Sequence, residues 1–89
     1  MRHIVKRAGH SEVYDARKLY ASIYNACLSV REHPGSAELI SKEVTEEFEK
    51  WLTNKHEITA NDIRKRASEH LKAINPDAAH IYIHHRVMW

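Results

Sequence analysis

Four stretches of the chain repeat apolar residues at helical spacing, and proline-bearing turns separate two of the three junctions between them. That pattern leaves room for little besides a small helical domain. Leu19, Ile23, Cys27 and Val30 recur three or four residues apart, with Tyr20 and Tyr24 widening the stripe. Ile40, Val44, Phe48, Trp51 and Leu52 make a second stripe, while Lys42, Glu43, Glu46, Glu47 and Lys50 fall on the water-facing side. Ile63, Ala67, Leu71 and Ile74 make the third. In the fourth, Ala79, Ile83 and Val87 align, and Ile81, Tyr82, Met88 and Trp89 spread apolar surface around the rest of the helix. Such breadth implies burial or contact with a partner, with the terminal Trp89 suited to an interface and Tyr20 and Trp51 to core packing. At 89 residues the chain builds one small core.

Capping residues set the boundaries. Asp15 is a good N-cap for the first helix, which is expected to end near Glu32, before His33-Pro34-Gly35. Ser36 is expected to cap the second helix, and Thr53-Asn54-Lys55-His56 to connect it onward. Thr59 with Asp62 resembles a capping box, with Asp in the usual place of Glu. Asn75 caps a fourth helix running toward the end of the chain, with Pro76 at its first position, where a missing N–H costs nothing. Ahead of the first helix, Ile4 to Lys6 and Glu12 to Tyr14 are short alternating segments, and Ala8-Gly9-His10-Ser11 supplies the glycine of a hairpin turn. Glu57 and Ile58 fit a very short third strand. The expected class is mainly α with a small β component (α+β), a four-helix bundle capped by a two- to three-stranded sheet.

Several function classes fall away. Fourteen basic against 12 acidic residues give a net charge of only +2, so composition does not demand a nucleic-acid partner. Any preference for anions must come from local placement. One cysteine, Cys27, permits neither a disulfide framework nor a four-cysteine zinc ribbon, and no run approaches a membrane span. A soluble, cytoplasmic protein is expected. Gly9 and Gly35 are the only glycines, which excludes a phosphate-binding P-loop. No nucleophile and base can be paired, so no catalytic residues are expected. His80 and His84 stand one helical turn apart with His85 following, but no glutamate completes a His-Glu-x-x-His pattern, and no metal site is expected there.

What remains is a placement of charge. Lys6, Arg7, Arg17 and Lys18 surround one strand-to-helix corner, where cations face the positive end of the helix dipole at a cost of about a few tenths of a kcal/mol. Arg64, Lys65 and Arg66 follow the start of the third helix. Two such helix starts can converge on one polyphosphate through side-chain cations and exposed N–H groups. Taken singly, each cation is more often a solvated surface charge.

The combination Ile4-x-Lys6-Arg7-x-Gly9, then Glu12, Asp15 and Lys18-Leu19, resembles the opening motif of the ATP-cone. That family is the regulatory nucleotide-binding domain at the N-terminus of many ribonucleotide reductase catalytic subunits, found also in the zinc-ribbon repressor of ribonucleotide reductase genes. The likeness continues through Glu57-Ile58-Thr59-Ala60-Asn61-Asp62-Ile63 and Ala78-Ala79-His80-Ile81-Tyr82, which makes residues 1–89 one ATP-cone-like domain. The resemblance implies ATP or dATP, with Mg²⁺, held between the sheet and the helix ends. By the same carry-over Ile4 lies beside the nucleotide, Lys6, Arg7 and Lys18 contact phosphates, Glu12 and Asp15 read the adenine or ribose, and Arg64 faces the ligand. Thr59, His80 and Tyr82 border the site. The chain departs from the family with Ala8 where Asp or Asn is usual and Ala60 where a hydroxyl residue is common.

The function expected on this basis is allosteric: nucleotide occupancy would control self-association or the activity of a protein partner such as ribonucleotide reductase. The competing readings are a small helical nucleic-acid-binding protein, and a cone that has lost nucleotide binding and serves as an interaction module.

Overall fold

A computed structural model describes residues 3–5, 11–53, 55 and 57–84. The chain is mainly helical. Its elements are β1 (His3–Val5), β2 (Ser11–Val13), α1 (Ala16–Ser29), α2 (Pro34–Leu52), β3 (Glu57–Thr59), α3 (Ala60–Ile74) and α4 (Pro76–His84). The expected hairpin turn, Lys6, Arg7 and the segment from His85 to Trp89 lie outside the described residues, and only the backbone of Ile4 and Glu12 is described.

Each helix start is fixed by a side chain within three residues of it. Asp15 caps α1 by accepting from the Arg17 N–H at 2.9 Å. Thr59 and Asp62 form the full reciprocal box at α3, with both bonds at 3.0 Å. Asn75 serves two helices: its N–H donates to the Leu71 carbonyl at the end of α3, and its Oδ1 accepts from the Ala78 N–H at the start of α4.

The α1–α2 junction departs from expectation at both ends. Helix α1 stops at Ser29, three residues before Glu32, and α2 begins at Pro34, so Ser36 lies inside the helix and does not cap it. The cap is His33, whose Nδ1 accepts from the Gly35 N–H at 3.1 Å. Pro34 explains the earlier start, since its fixed φ already suits a first helical position. The early stop is a Schellman closure, in which Glu32 N–H donates to the Cys27 carbonyl and Arg31 N–H to the Leu28 carbonyl, each at 3.0 Å. Arg31 occupies the left-handed position of that closure, with φ 65°. A side chain there costs energy that glycine avoids. Arg31→Gly is expected to raise stability by about 0.5–1 kcal/mol, measured as a higher urea midpoint; an unchanged or lower midpoint would show that the arginine side chain compensates for its backbone.

The four helices close a ring of contacts: α1 packs on α2 and α4, and α3 packs on α2 and α4. Helices α1 and α3 therefore occupy opposite corners. Between them lies a core of Leu19, Ile23, Cys27, Ile40, Val44, Phe48, Leu52, Ile58, Ile63, Ala67, Leu71 and Tyr82. Three expectations about the stripes are corrected. Ile74, the last residue of α3, is 41% exposed because the buried face of its turn is Leu71; Ile83 is 44% exposed because the buried face of α4 is Ala78, Ala79 and Tyr82. Trp51 is half-buried, at the margin of the core beside Phe48, with ring centroids 5.5 Å apart. Burial pushes the Cys27 thiol up to about 11, which keeps it protonated and unreactive at neutral pH.

The strands pair in the order β2-β1-β3. β1 runs antiparallel to β2, with His3 opposite Val13 and Val5 opposite Ser11. It runs parallel to β3, with His3 opposite Glu57 and Val5 opposite Thr59. This register decides where the helices leave. The chain enters α1 from the His3 end of β1 and enters α3 from the Val5 end, about 7 Å further along the strands at the usual rise.

Candidate functional site

The two helix starts differ in what they offer an anion. At α1 the Asp15 carboxylate accepts from the Arg17 backbone N–H and from its guanidinium, through Nε at 3.3 Å and Nη2 at 3.4 Å. The Arg17 side chain, then its backbone N–H, hold the Asp15 carboxyl below its usual range. Part of the electrostatic discomfort of this corner is thus relieved within the chain. Lys18, in the same first turn, is exposed and has no ion pair among the described residues.

At α3 the capping box satisfies the N–H groups of Thr59 and Asp62 and leaves those of Ala60 and Asn61 outside it. The Thr59 hydroxyl is exposed, and because its oxygen accepts from Asp62, its proton remains available to donate. Ala60 packs against the core, which accounts for an apolar residue at that position.

The basic triplet of α3 separates by direction, since consecutive helical residues point about 100° apart. Lys65 is exposed. Arg66 turns toward α2, its guanidinium carbon 5.1 Å from the Trp51 ring centroid, with Nη1 3.6 Å from Glu69. Lys55 lies over the same indole at 5.1 Å. Arg64, half-buried like Arg66, is the one of the three whose charge favours the Tyr82 phenolate. The triplet therefore presents no single basic face.

Of the two candidates on α4, His80 is exposed and its ring lies beside that of His84, with centroids 4.2 Å apart. Among the described residues no three His, Cys, Asp or Glu side chains gather as a metal would need. Tyr82 is 1% exposed, and its hydroxyl has no hydrogen-bond partner within the described chain. Tyr14 is a further residue of this end, not among the expected site residues: its ring sits 5.6 Å from Phe48 and its hydroxyl feels the charges of Glu49 and Asp15 and the hydroxyl of Tyr82. Its place immediately before the Asp15 cap, where an apolar residue often anchors the incoming chain, is the signal that was available.

Burial raises the ionisation of both Tyr14 and Tyr82 above the ordinary value of 10.0. A pKa raised by folding contributes stability that is complete below the unfolded value and is lost as pH rises through the folded one. The melting temperature is thus expected to fall steeply once pH passes about 10, and Tyr82→Phe to soften that fall. A melting curve flat across this alkaline range would contradict the burial of both hydroxyls.

A cleft of about 260 Å³ between α2 and α3 is lined by Glu43, Val44, Glu47, His70, Ala73 and Ile74. None of the candidate nucleotide residues lines it. The described end that carries the candidates is instead the sheet with the starts of α1 and α3 and the underlying side chain of Tyr82. No helix among the described residues is long and apolar enough to cross a membrane.

These features define a small, mainly helical domain in which Lys18 and Arg64 are among the described cations by two capped helix starts joined through a three-stranded sheet. The family model for the ATP cone domain matches residues 2–88, and the chain belongs to that family. No curated protein matches the chain. Membership points to a nucleotide-binding regulatory module of the kind that takes ATP or dATP.

Proposed function

We propose that this chain is an allosteric sensor that binds ATP or dATP beside the strands that lead into α1 and α3. The family match over residues 2–88 carries the reading, and the chemistry of that end supports it. In this reading Lys18 supplies charge from α1, Arg64 supplies charge from α3, and the Thr59 hydroxyl with the Ala60 and Asn61 N–H groups meets phosphate oxygens at the helix start. Lys6 and Arg7 follow directly on Val5, the residue paired with Thr59, and add two further phosphate contacts. Ile4 and Glu12, opposite one another in the β1–β2 pair, lie beside the adenine or ribose. Asp15 joins them by exchanging its Arg17 contact for a ligand hydroxyl or amine, and His80 borders the pocket from α4.

Charge-assisted bonds of about 1.5–3 kcal/mol each, with adenine packing, support affinity on the order of micromolar. Mg²⁺ would enter with the nucleotide, neutralising part of the phosphate charge. The bound state changes association, either with a second copy or with a catalytic or regulatory partner such as ribonucleotide reductase in the cytoplasm. Such a switch requires different affinities for the two assembly states, because a ligand that binds both equally shifts nothing.

Calorimetric titration with ATP, dATP, GTP and a short DNA duplex tests the reading, with light scattering in parallel. Adenine-selective binding accompanied by a change in assembly is expected. Binding of the duplex alone, falling steeply with salt, would establish a nucleic-acid protein instead. Silence toward every mononucleotide would leave a cone that acts only through protein contacts.

A further inference from the structure

Like charges one helical turn apart repel, so two of them on one wall of a cleft are stabilised by a cation brought to that wall. Glu43 and Glu47 stand in this relation on α2, and both line the cleft of about 260 Å³ across from His70, Ala73 and Ile74 of α3. Glu47 meets Lys50 at 3.0 Å, in an exposed pair of the kind that contributes little. Glu43 is exposed and has no ion pair among the described residues. Beside these carboxylates the surface is apolar: Ile74 is 41% exposed, and Leu39, one turn before Glu43, is 71% exposed. The cleft thus combines an acidic wall with an apolar rim open to solvent.

Size and chemistry narrow what can enter. Pockets for small molecules enclose about 300–1,000 Å³, so this cleft suits a single side chain better than a nucleotide or cofactor. Glu43, Glu47 and His70 do not gather closely enough to hold a metal ion. Carboxylates beside apolar surface fit a long side chain with an aliphatic stem and a broad cationic end. Arginine meets that description best, since its guanidinium offers five donors in a fixed fork and is more weakly hydrated than an ammonium.

We propose that the α2–α3 cleft is a docking site for an arginine carried on an amphipathic helix of a partner protein. The guanidinium meets the Glu43 and Glu47 carboxylates, and an apolar residue four positions away rests on Leu39 and Ile74. Residues at that spacing share one helix face, and a groove between helices is a surface on which such a face can lie. The inference stands apart from the nucleotide reading. None of the candidate nucleotide residues lines the cleft, and His70 to Ile74 lie about 15–20 Å along α3 from its capped start.

The probe is a fluorescein-labelled, alanine-based helical peptide carrying one arginine with a leucine four residues before it. It is titrated into the full chain without nucleotide and followed by fluorescence anisotropy and by backbone amide shifts in NMR. Saturable binding is expected, with shifts centred on Glu43, Glu47, His70 and Ile74, and a peptide with glutamate in place of the arginine should not bind. The wild-type shifts need no variant. Glu43→Gln combined with Glu47→Gln should weaken the arginine peptide about tenfold, the size of two partly exposed charge pairs. These changes keep side-chain shape and remove a repulsion, so the variant is expected to fold as the wild type does, which a melting curve checks. Glu46→Gln removes the same charge from an exposed position of α2 outside the cleft and should leave binding unchanged.

Equal weakening by Glu46→Gln would show a diffuse attraction and overturn the proposal. Binding of the glutamate peptide, or the absence of shifts at the cleft, would overturn it as well. If light scattering shows the chain pairing with itself, and Glu43→Gln with Glu47→Gln abolishes that pairing, the occupant is a second copy and the separate partner is ruled out.

Discussion

Phe48→Ala is expected to remove about 3–5 kcal/mol of folding free energy. Phe48 is fully buried, and its ring is flanked by Tyr14 at 5.6 Å and Trp51 at 5.5 Å, so it joins the incoming strand to the end of α2. Truncation leaves a cavity that neither neighbour can fill without leaving its own place: Tyr14 immediately precedes the α1 cap, and Trp51 is held beneath Lys55 and Arg66. Small domains have only about 5–15 kcal/mol to lose. The variant should unfold at a much lower urea concentration than the wild type, and a loss under about 1 kcal/mol would mean that the ring is not central to the core.

Arg64→Ala should weaken ATP binding by about ten- to a hundredfold, while Lys65→Ala and Arg66→Ala change it little. The distinction follows from direction. Lys65 faces solvent, Arg66 is committed to Trp51 and Glu69, and Arg64 alone is a half-buried cation whose charge acts on Tyr82. Calorimetry on the three variants measures this directly. Equal losses from all three would indicate a diffuse electrostatic attraction, and a loss confined to Arg66 would relocate the site to the Trp51 side of α3. Arg66→Ala should instead cost stability, because it removes a cation from the indole face and a half-buried stem from the α2–α3 contact.

Reading the sequence located the helix starts well where a cap and its partner lie within three residues, as with Asp15, Thr59 with Asp62, and Asn75 with Pro76. The start of α2 is less legible because its cap is His33, outside the usual Ser, Thr, Asp and Asn set, although Pro34 beside it marks a first helical position. Of the candidate site, the positions by the helix starts were legible from these same caps. The fate of each charge was not. Arg17 and Lys18 are adjacent in sequence, yet Arg17 folds back on Asp15 while Lys18 remains open to solvent.

The sequence by itself determined the four helices and the caps of three of them, because those depend on hydrogen bonds and apolar spacing that repeat within a few residues. It also carried the family's motifs, which are patterns of local order. Only the tertiary structure decided that α1 and α3 leave opposite ends of β1, that Ile74 and Ile83 lack cover, and that Tyr82 lies buried near Arg64 and Tyr14. Those outcomes depend on which faces meet when four helices close a ring, and a residue's neighbours across that ring are distant in sequence. Solvent exposure and the partnering of a buried hydroxyl are properties of the assembled surfaces, so they exist only once the helices have packed.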